Sequence, residues 1–130
     1  LNIYPITPVG KPRMTQRDRW AKRPAVLRYF AFKDECRLHN VQLPLSGSHV
    51  VFILPMSTSW SKKKKADMNG QPHTQKPDVD NLFKALADAV YDDDSKLWNF
   101  QASKFWGNSG RIIITKSQPQ NFDEIINASI

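Results

Sequence analysis

The stretch with the clearest chemistry is KPDVDNLFKALADAVYDDDSK, residues 76–96. Six of the twelve acidic residues, Asp78, Asp80, Asp88, Asp92, Asp93 and Asp94, fall within seventeen positions of a chain whose formal net charge is +7. Carboxylates concentrated against a basic background suit a hard divalent cation bound beside a polyanion. Mg²⁺ takes oxygen ligands in octahedral geometry and keeps several waters, while basic surface attracts and positions phosphates. An ion so held activates water and neutralises charge developing on a phosphodiester.

On a helical wheel residues 80–90 separate cleanly. Leu82, Ala85, Leu86, Ala89 and Val90 share one side, with Phe83 at its margin, and Asp80, Asn81, Lys84 and Asp88 share the other. This predicts a short helix over roughly 79–91, with Asp78 at or near its N-cap and Asp92, Asp93 and Asp94 just past its C-terminus. Acids at that end oppose the helix dipole, and a bound cation relieves the conflict. If the chain after residue 94 returns as a strand beside the first turn of the helix, Asp78, Asp80 and one of Asp93 or Asp94 meet. Three carboxylates with a few waters make a Mg²⁺ site. The same residues have purely structural readings. Asp80 and Lys84 form an i,i+4 pair in the favoured orientation, and Asp78 suits an N-cap; spacing alone does not separate the two readings. Two other metal motifs are excluded. Counted from Asp78, the sixth and twelfth positions of an EF-hand loop are Phe83 and Ala89 instead of glycine and glutamate, and DDDSKL lacks the third acid of a DDxxD site.

The basic residues are grouped as well. Lys11, Arg13, Arg17, Arg19, Lys22, Arg23 and Arg28 face Asp18 alone across 11–28, and Lys62, Lys63, Lys64 and Lys65 form a second block. With Lys76, these groups (Arg28 aside) are the candidate DNA contacts. Trp20 and Trp60 lie in basic loops, where an aromatic ring either stacks on exposed bases or packs onto a sheet. Trp98 and Trp106 fall in predicted strands and are expected in the core, while His73 reads as a loop histidine. The single cysteine, Cys36, permits no intrachain disulfide, builds no Cys/His zinc framework and is expected to be a structural thiol. No apolar stretch approaches a membrane span, and LNIYPI reads directly as a strand, so neither membrane insertion nor a secretory leader is expected. A reducing cytoplasm is the expected location.

The elements that must position these residues follow from periodicity. LNIYPI (1–6) alternates as a strand, and a Pro/Gly/Arg-rich loop covers 7–20. Pro24 opens a helix running to about Asn40, with Leu27, Phe30, Ala31 and Leu38 as its buried face. SHVVFILPM (48–56) is a continuous, β-branched apolar run and reads as a central strand. A polar loop runs from Ser57 to Pro77, long enough to suggest function. After the acidic segment come strands near 97–106 and 110–117, joined as a hairpin around Gly107–Gly110. Residues 118–130 are weakly patterned, compatible with a short helix or a mobile tail. The order β-α-β-α-β-β in one domain over 1–130 implies an α/β (α+β) fold with a mixed sheet covered by helices.

At the acidic segment the chain resembles the RusA family of phage and prophage Holliday junction resolvases. The family pattern is Asp-x-Asp-Asn-Leu-x-Lys, then Asp-Ala one helix later, then a paired Asp-Asp before a strand. Here it reads Asp78, Asp80, Asn81, Leu82 and Lys84, then Asp88–Ala89, then Asp93–Asp94. The resemblance is sharp over 76–97 and agrees in outline elsewhere, in the arm KPRMTQRDRW, the strand SHVVFILPM and the loop WSKKKK. It implies a RusA-like fold and a Mg²⁺-dependent endodeoxyribonuclease, with Mn²⁺ as a substitute ion and no other small-molecule cofactor. Asp78, Asp80 and Asp94 would be the catalytic metal ligands, Asp93 a supporting acid, and Lys84 a cation near the scissile phosphate. Asp92 has no counterpart, and Asp88 is expected to be structural, pairing Lys84 or capping a neighbour. Lys96 departs from the family, where glutamine is more usual, so DNA contacts around the site do not transfer directly. The implied reaction is in-line hydrolysis leaving 5′-phosphate and 3′-hydroxyl ends. A four-way junction has two-fold symmetry and needs two cuts, which implies a C₂ homodimer. The competing readings are a nuclease of flaps and forks, and a non-catalytic DNA-binding protein.

Overall fold

The run SHVVFILP forms β2 (Ser48–Pro55), and its apolar character on both faces makes it the strand that others flank. In the computed structural model, which describes residues 1–19 and 23–128 (without the side chains of Asp18 and Arg19), β2 pairs in parallel with β3 (Phe100–Gly107) from Ser48↔Phe100 to Pro55↔Gly107. Its other edge pairs antiparallel with β4 (Arg111–Lys116), as in Val50↔Ile114 and Phe52↔Ile112. β1 (Asn2–Tyr4) adds antiparallel to β4. The described strands thus form one mixed sheet in the order β1-β4-β2-β3.

The sheet corrects one expectation. β3 and β4 are consecutive and joined by a tight turn, yet β2 lies between them and they do not pair as a hairpin. The mixed character comes instead from β2, which has a parallel neighbour on one side and an antiparallel one on the other. A parallel pair requires a crossover connection, and the segment from β2 to β3 supplies it with α2 (Lys62–Met68) and α3 (Val79–Val90).

Helix α1 (Pro24–Leu38) starts where proline allows, at the first turn. Its buried face is Val26, Tyr29, Phe32 and Cys36; of the expected Leu27, Phe30, Ala31 and Leu38 only Phe30 packs against the core, half-buried, while Leu27 is 53% and Leu38 77% exposed. The helix has apolar residues around most of its circumference, so the face that wins is the one whose aromatics fit the groove of α3. α1 packs on α3, and Leu82 and Leu86 join Phe32, Val50, Phe52 and Ile112 in one core. The alternating residues of β2 that enter this core, Val50, Phe52 and Leu54, show that both helices cover the same face of the sheet.

The stretch 57–77 is not a bare loop. Ser61 accepts a hydrogen bond from the backbone N–H of Lys64 and caps α2, placing all four lysines on a helix. Residues 70–75 then run along the free edge of β3, through Gly70 N–H to Trp106 O, Trp106 N–H to Gln71 O and His73 N–H to Lys104 O, at 2.9, 3.0 and 3.0 Å. The tail forms α4 (Phe122–Ala128), exposed throughout. No described helix is long and apolar enough to cross a membrane.

Candidate active site

Helix α3 buries Leu82, Phe83, Ala85, Leu86 and Ala89 and presents Asp80 and Lys84 to solvent, the split its periodicity dictates; Ala87, on the polar side of the wheel, is buried as well. Phe83 is fully part of the core side rather than marginal, because Phe100 at the start of β3 stacks on it with centroids 3.6 Å apart. Asp78 is the N-cap residue, but its side chain makes no capping hydrogen bond. Asp80 lies in the first turn, where an acid is favoured by the dipole, and no ion pair joins it to Lys84 among the described residues. The two structural roles that spacing allows for these carboxylates are therefore both unused.

After Tyr91 the chain makes a short 3₁₀ turn, Asp94–Lys96, instead of returning at once as a strand. Asp93 caps that turn, accepting from Ser95 N–H at 3.0 Å, and this bond holds its carboxyl below the usual range. Asp94 faces a cleft of about 470 Å³ lined with Lys11, Pro12, Arg13, Asn81, Lys84 and Asp88. Asp78 lines a neighbouring cleft that shares Lys11, Pro12 and Asn81. The two clefts together run along the polar side of α3 under the basic arm. Asp80 lines neither. The described residues do not gather three acid, histidine or cysteine side chains at metal-binding spacing. In chemistry the set suits a hard cation, since carboxylate oxygens without other partners are what Mg²⁺ takes; binding by all three acids requires their exposed side chains to converge.

The arm is fixed to α3 at several points. Lys11 N–H donates to Asn81 O at 3.2 Å, and the Lys11 amine meets Asp88 Oδ2 at 2.6 Å. The same oxygen accepts the Tyr29 hydroxyl at 2.9 Å. Gly10 lies against Pro77, closely enough that a Cβ would stand 2.9 Å from Pro77 Cβ. Further along, an Arg23 guanidinium N–H donates to Arg13 O at 2.6 Å. Burial works against a charge on Asp88, but the donors Lys11 and Tyr29, with the nearby Lys33, prevail and hold its carboxyl below the usual range. Burial, reinforced by the same carboxylate, pushes the Tyr29 phenol well above its ordinary value. On the other side of Asp78, the Lys104 amine donates to Pro77 O at 2.8 Å and to Gln75 O, fixing the strap that leads into α3.

Several sequence expectations land differently. Asp88, expected to pair Lys84 or cap a neighbour, pairs with Lys11 instead. Among the described residues, Lys11 and Arg13 line the Asp94 cleft and Lys11 and Lys76 the Asp78 cleft; Lys62, Lys63, Lys64 and Lys65 line neither. Arg17 is exposed on the arm. Trp20 and Lys22 lie outside the described residues, as does the side chain of Arg19. Trp60 packs on Trp106 at 4.9 Å with Lys64 4.2 Å above its ring, so it belongs to the surface of the sheet. Trp106 is buried as expected, whereas Trp98 is 66% exposed and lies outside the described strands. His73 is buried against the Trp106 ring, and burial, together with the charge of Lys104, lowers its pKa. Tyr29, Gly10 and Asn81 matter to the site although sequence reasoning assigns them no role there. Only Asn81 carries a signal, as part of the Asp-x-Asp-Asn pattern.

With this geometry in view, the family model for the endodeoxyribonuclease RusA matches residues 5–115, and the chain belongs to that family. Among curated proteins it is similar to the uncharacterized protein YqaN of Bacillus subtilis (strain 168), 42% identical over 65 residues that cover 45% of this chain and 46% of that protein. The chain thus spans less than half the length of the curated relative it matches. No solved structure matches.

Proposed function

We propose that the protein is a divalent-metal-dependent, structure-specific endonuclease that resolves four-way DNA junctions in the cytoplasm, acting as a homodimer. The observation that carries this reading is the state of Asp78 and Asp80. Both acids open α3, neither serves as a side-chain cap or pairs with a cation among the described residues, and the adjoining clefts bring in Asp94, Lys84 and the basic arm. Membership of the RusA endodeoxyribonuclease family supports the same chemistry.

In this reading Asp78, Asp80 and Asp94 hold the cation, with Asp93 buttressing the turn that carries Asp94. Mg²⁺ is the preferred ion and Mn²⁺ a substitute. When bound, the ion supplies Lewis-acid activation of water and charge neutralisation at the phosphodiester. Lys84, in the Asp94 cleft, stabilises the negative charge that grows on the phosphate. Lys11, Arg13 and Lys76 bind flanking phosphates close to the acids, and Arg17, Arg23 and Lys62–Lys65 extend the basic surface; Lys22 and the Arg19 side chain, which lie outside the described residues, are proposed contacts as well. Two symmetric cuts require two such centres, which supports the dimer. The exposed Phe122 and Ile125, one helical face of α4, with Trp98 against Phe122, are apolar surface of the kind that pairs.

Asp80→Asn tests the assignment, because it removes a ligand charge while keeping the side chain's bulk. Cleavage of a labelled four-way junction should be lost while its gel-shift affinity persists. Cutting at close to the wild-type rate would show that Asp80 holds no metal.

A further inference from the structure

Among the described residues, Lys11 is the one cation that lines both the cleft of Asp78 and the cleft of Asp94. It is also held unusually firmly for a lysine on a loop. Its N–H is tied to Asn81 O at 3.2 Å, and its amine lies 2.6 Å from Asp88 Oδ2. That oxygen is itself fixed by the Tyr29 hydroxyl at 2.9 Å. Tyr29 is buried in the core between α1 and α3, so the chain of contacts runs from the hydrophobic interior to the mouth of the site.

An ammonium group has three donors. One is spent on Asp88, which leaves two for phosphate oxygens without breaking the pair. A free lysine loses rotamer freedom when a ligand pins it; here folding has already pinned it. The Asp88 carboxylate pairs with the arm at Lys11 and forms no ion pair with Lys84 among the described residues.

We propose that Asp88 and Tyr29 are positioning residues that hold Lys11 as a phosphate-binding cation between the acids at the two ends of the site. This rests on the endonuclease reading and deepens it by assigning the residues that hold one of its phosphate-binding cations in place beside the acids.

The test uses the full chain and a labelled four-way junction, with binding measured in EDTA over a series of KCl concentrations and cleavage measured separately in Mg²⁺ under single turnover. Removing one phosphate contact lowers the slope of log K against log salt by about 1, and Lys11→Met should show that loss. Asp88→Asn keeps the Lys11 charge, so its slope should stay at the wild-type value, while its cleavage rate falls about tenfold or more through misplacement of the amine. Tyr29→Phe should shift the rate in the same direction by less, and carries the test if Asp88→Asn does not fold. The double variant Lys11→Met/Asp88→Asn should cut no more slowly than Lys11→Met alone. A wild-type slope in Lys11→Met, or additive losses in the double variant, overturns the proposal, since an ion pair that only stabilises the fold would move the urea midpoint and neither of these. A wild-type protein that binds but never cuts, with the slope still reduced in Lys11→Met, would overturn the nuclease reading and leave the phosphate contact standing.

Discussion

Gly10→Ala is a one-methyl probe of how closely the arm must fit α3. A Cβ at Gly10 would lie 2.9 Å from Pro77 Cβ, 3.8 Å from Pro77 Cγ and 3.9 Å from Asn81 Cβ. Carbons in contact sit about 3.5–4.0 Å apart, so arm and strap must separate by roughly 0.6–1.1 Å. The proline ring cannot swing its Cβ aside, and the Pro77 carbonyl is tethered by Lys104 at 2.8 Å, so the arm is what moves. The next residue is Lys11, whose N–H bond to Asn81 O is already 3.2 Å long. Breaking it costs about 1 kcal/mol, and the whole substitution about 1–2 kcal/mol. The effect on function should be larger in proportion, because misplacing a positioning group by about 1 Å costs on the order of a hundredfold in rate. Single-turnover cleavage of a labelled junction should therefore fall about tenfold to a hundredfold, with urea unfolding showing a protein that remains folded. A variant that cuts at the wild-type rate would mean that the arm's seat on α3 does not position the site.

Two further predictions concern groups away from the acids. Asp88 is held below its ordinary value, so its contribution to stability is complete above about pH 4 and is lost as pH falls through the lower, folded-state value. His73 is likewise depressed, by burial first and by Lys104; the fold accommodates the neutral ring, so stability begins to fall as pH drops through about 6.5. Urea midpoints measured from about pH 8 down to about pH 2 should decline in both windows, and His73→Phe should flatten the upper one; an unchanged upper decline would assign it to other groups. Burial, with the charge of Glu35 adding, pushes the Cys36 thiol up to about 12. It should stay unlabelled by a thiol reagent at pH 8 in the folded protein and react in urea; rapid labelling of the native protein would contradict its place between α1 and the core.

Legibility in the sequence follows the range of the interactions. β2 is readable because a strand flanked on both edges and buried on its faces must be apolar throughout, and α3 because one face meets the core and the other water. The face of α1 is not, since Leu27 and Leu38 are as apolar as Tyr29 and Phe32 and only packing against α3 chooses between them. The hairpin expectation fails at Gly107–Gly110 because a tight turn fixes chain reversal but not which strand fills the gap, and β2 fills it. α2 hides behind four lysines with no apolar stripe, although Ser61 is the cap that announces it. For the site, the acids and Lys84 are legible as a local pattern. The tie of Asp88 to Tyr29, 59 residues away in sequence, and to Lys11 is not, because nothing local encodes it. Asp93, expected as a supporting acid, also caps the turn of Asp94 through a bond that spacing alone does not reveal.

Whether the acids of α3 and the turn at Asp94 form a metal-dependent junction-cutting centre is decided by offering the protein a labelled four-way junction, a linear duplex and a flap, each with Mg²⁺ or with EDTA. Paired symmetric nicks on the junction, abolished by EDTA and absent from the duplex, are the predicted result. Equal cutting of flap and junction would contradict the junction specificity, and tight binding with no product in Mg²⁺ or Mn²⁺ would contradict the nuclease itself.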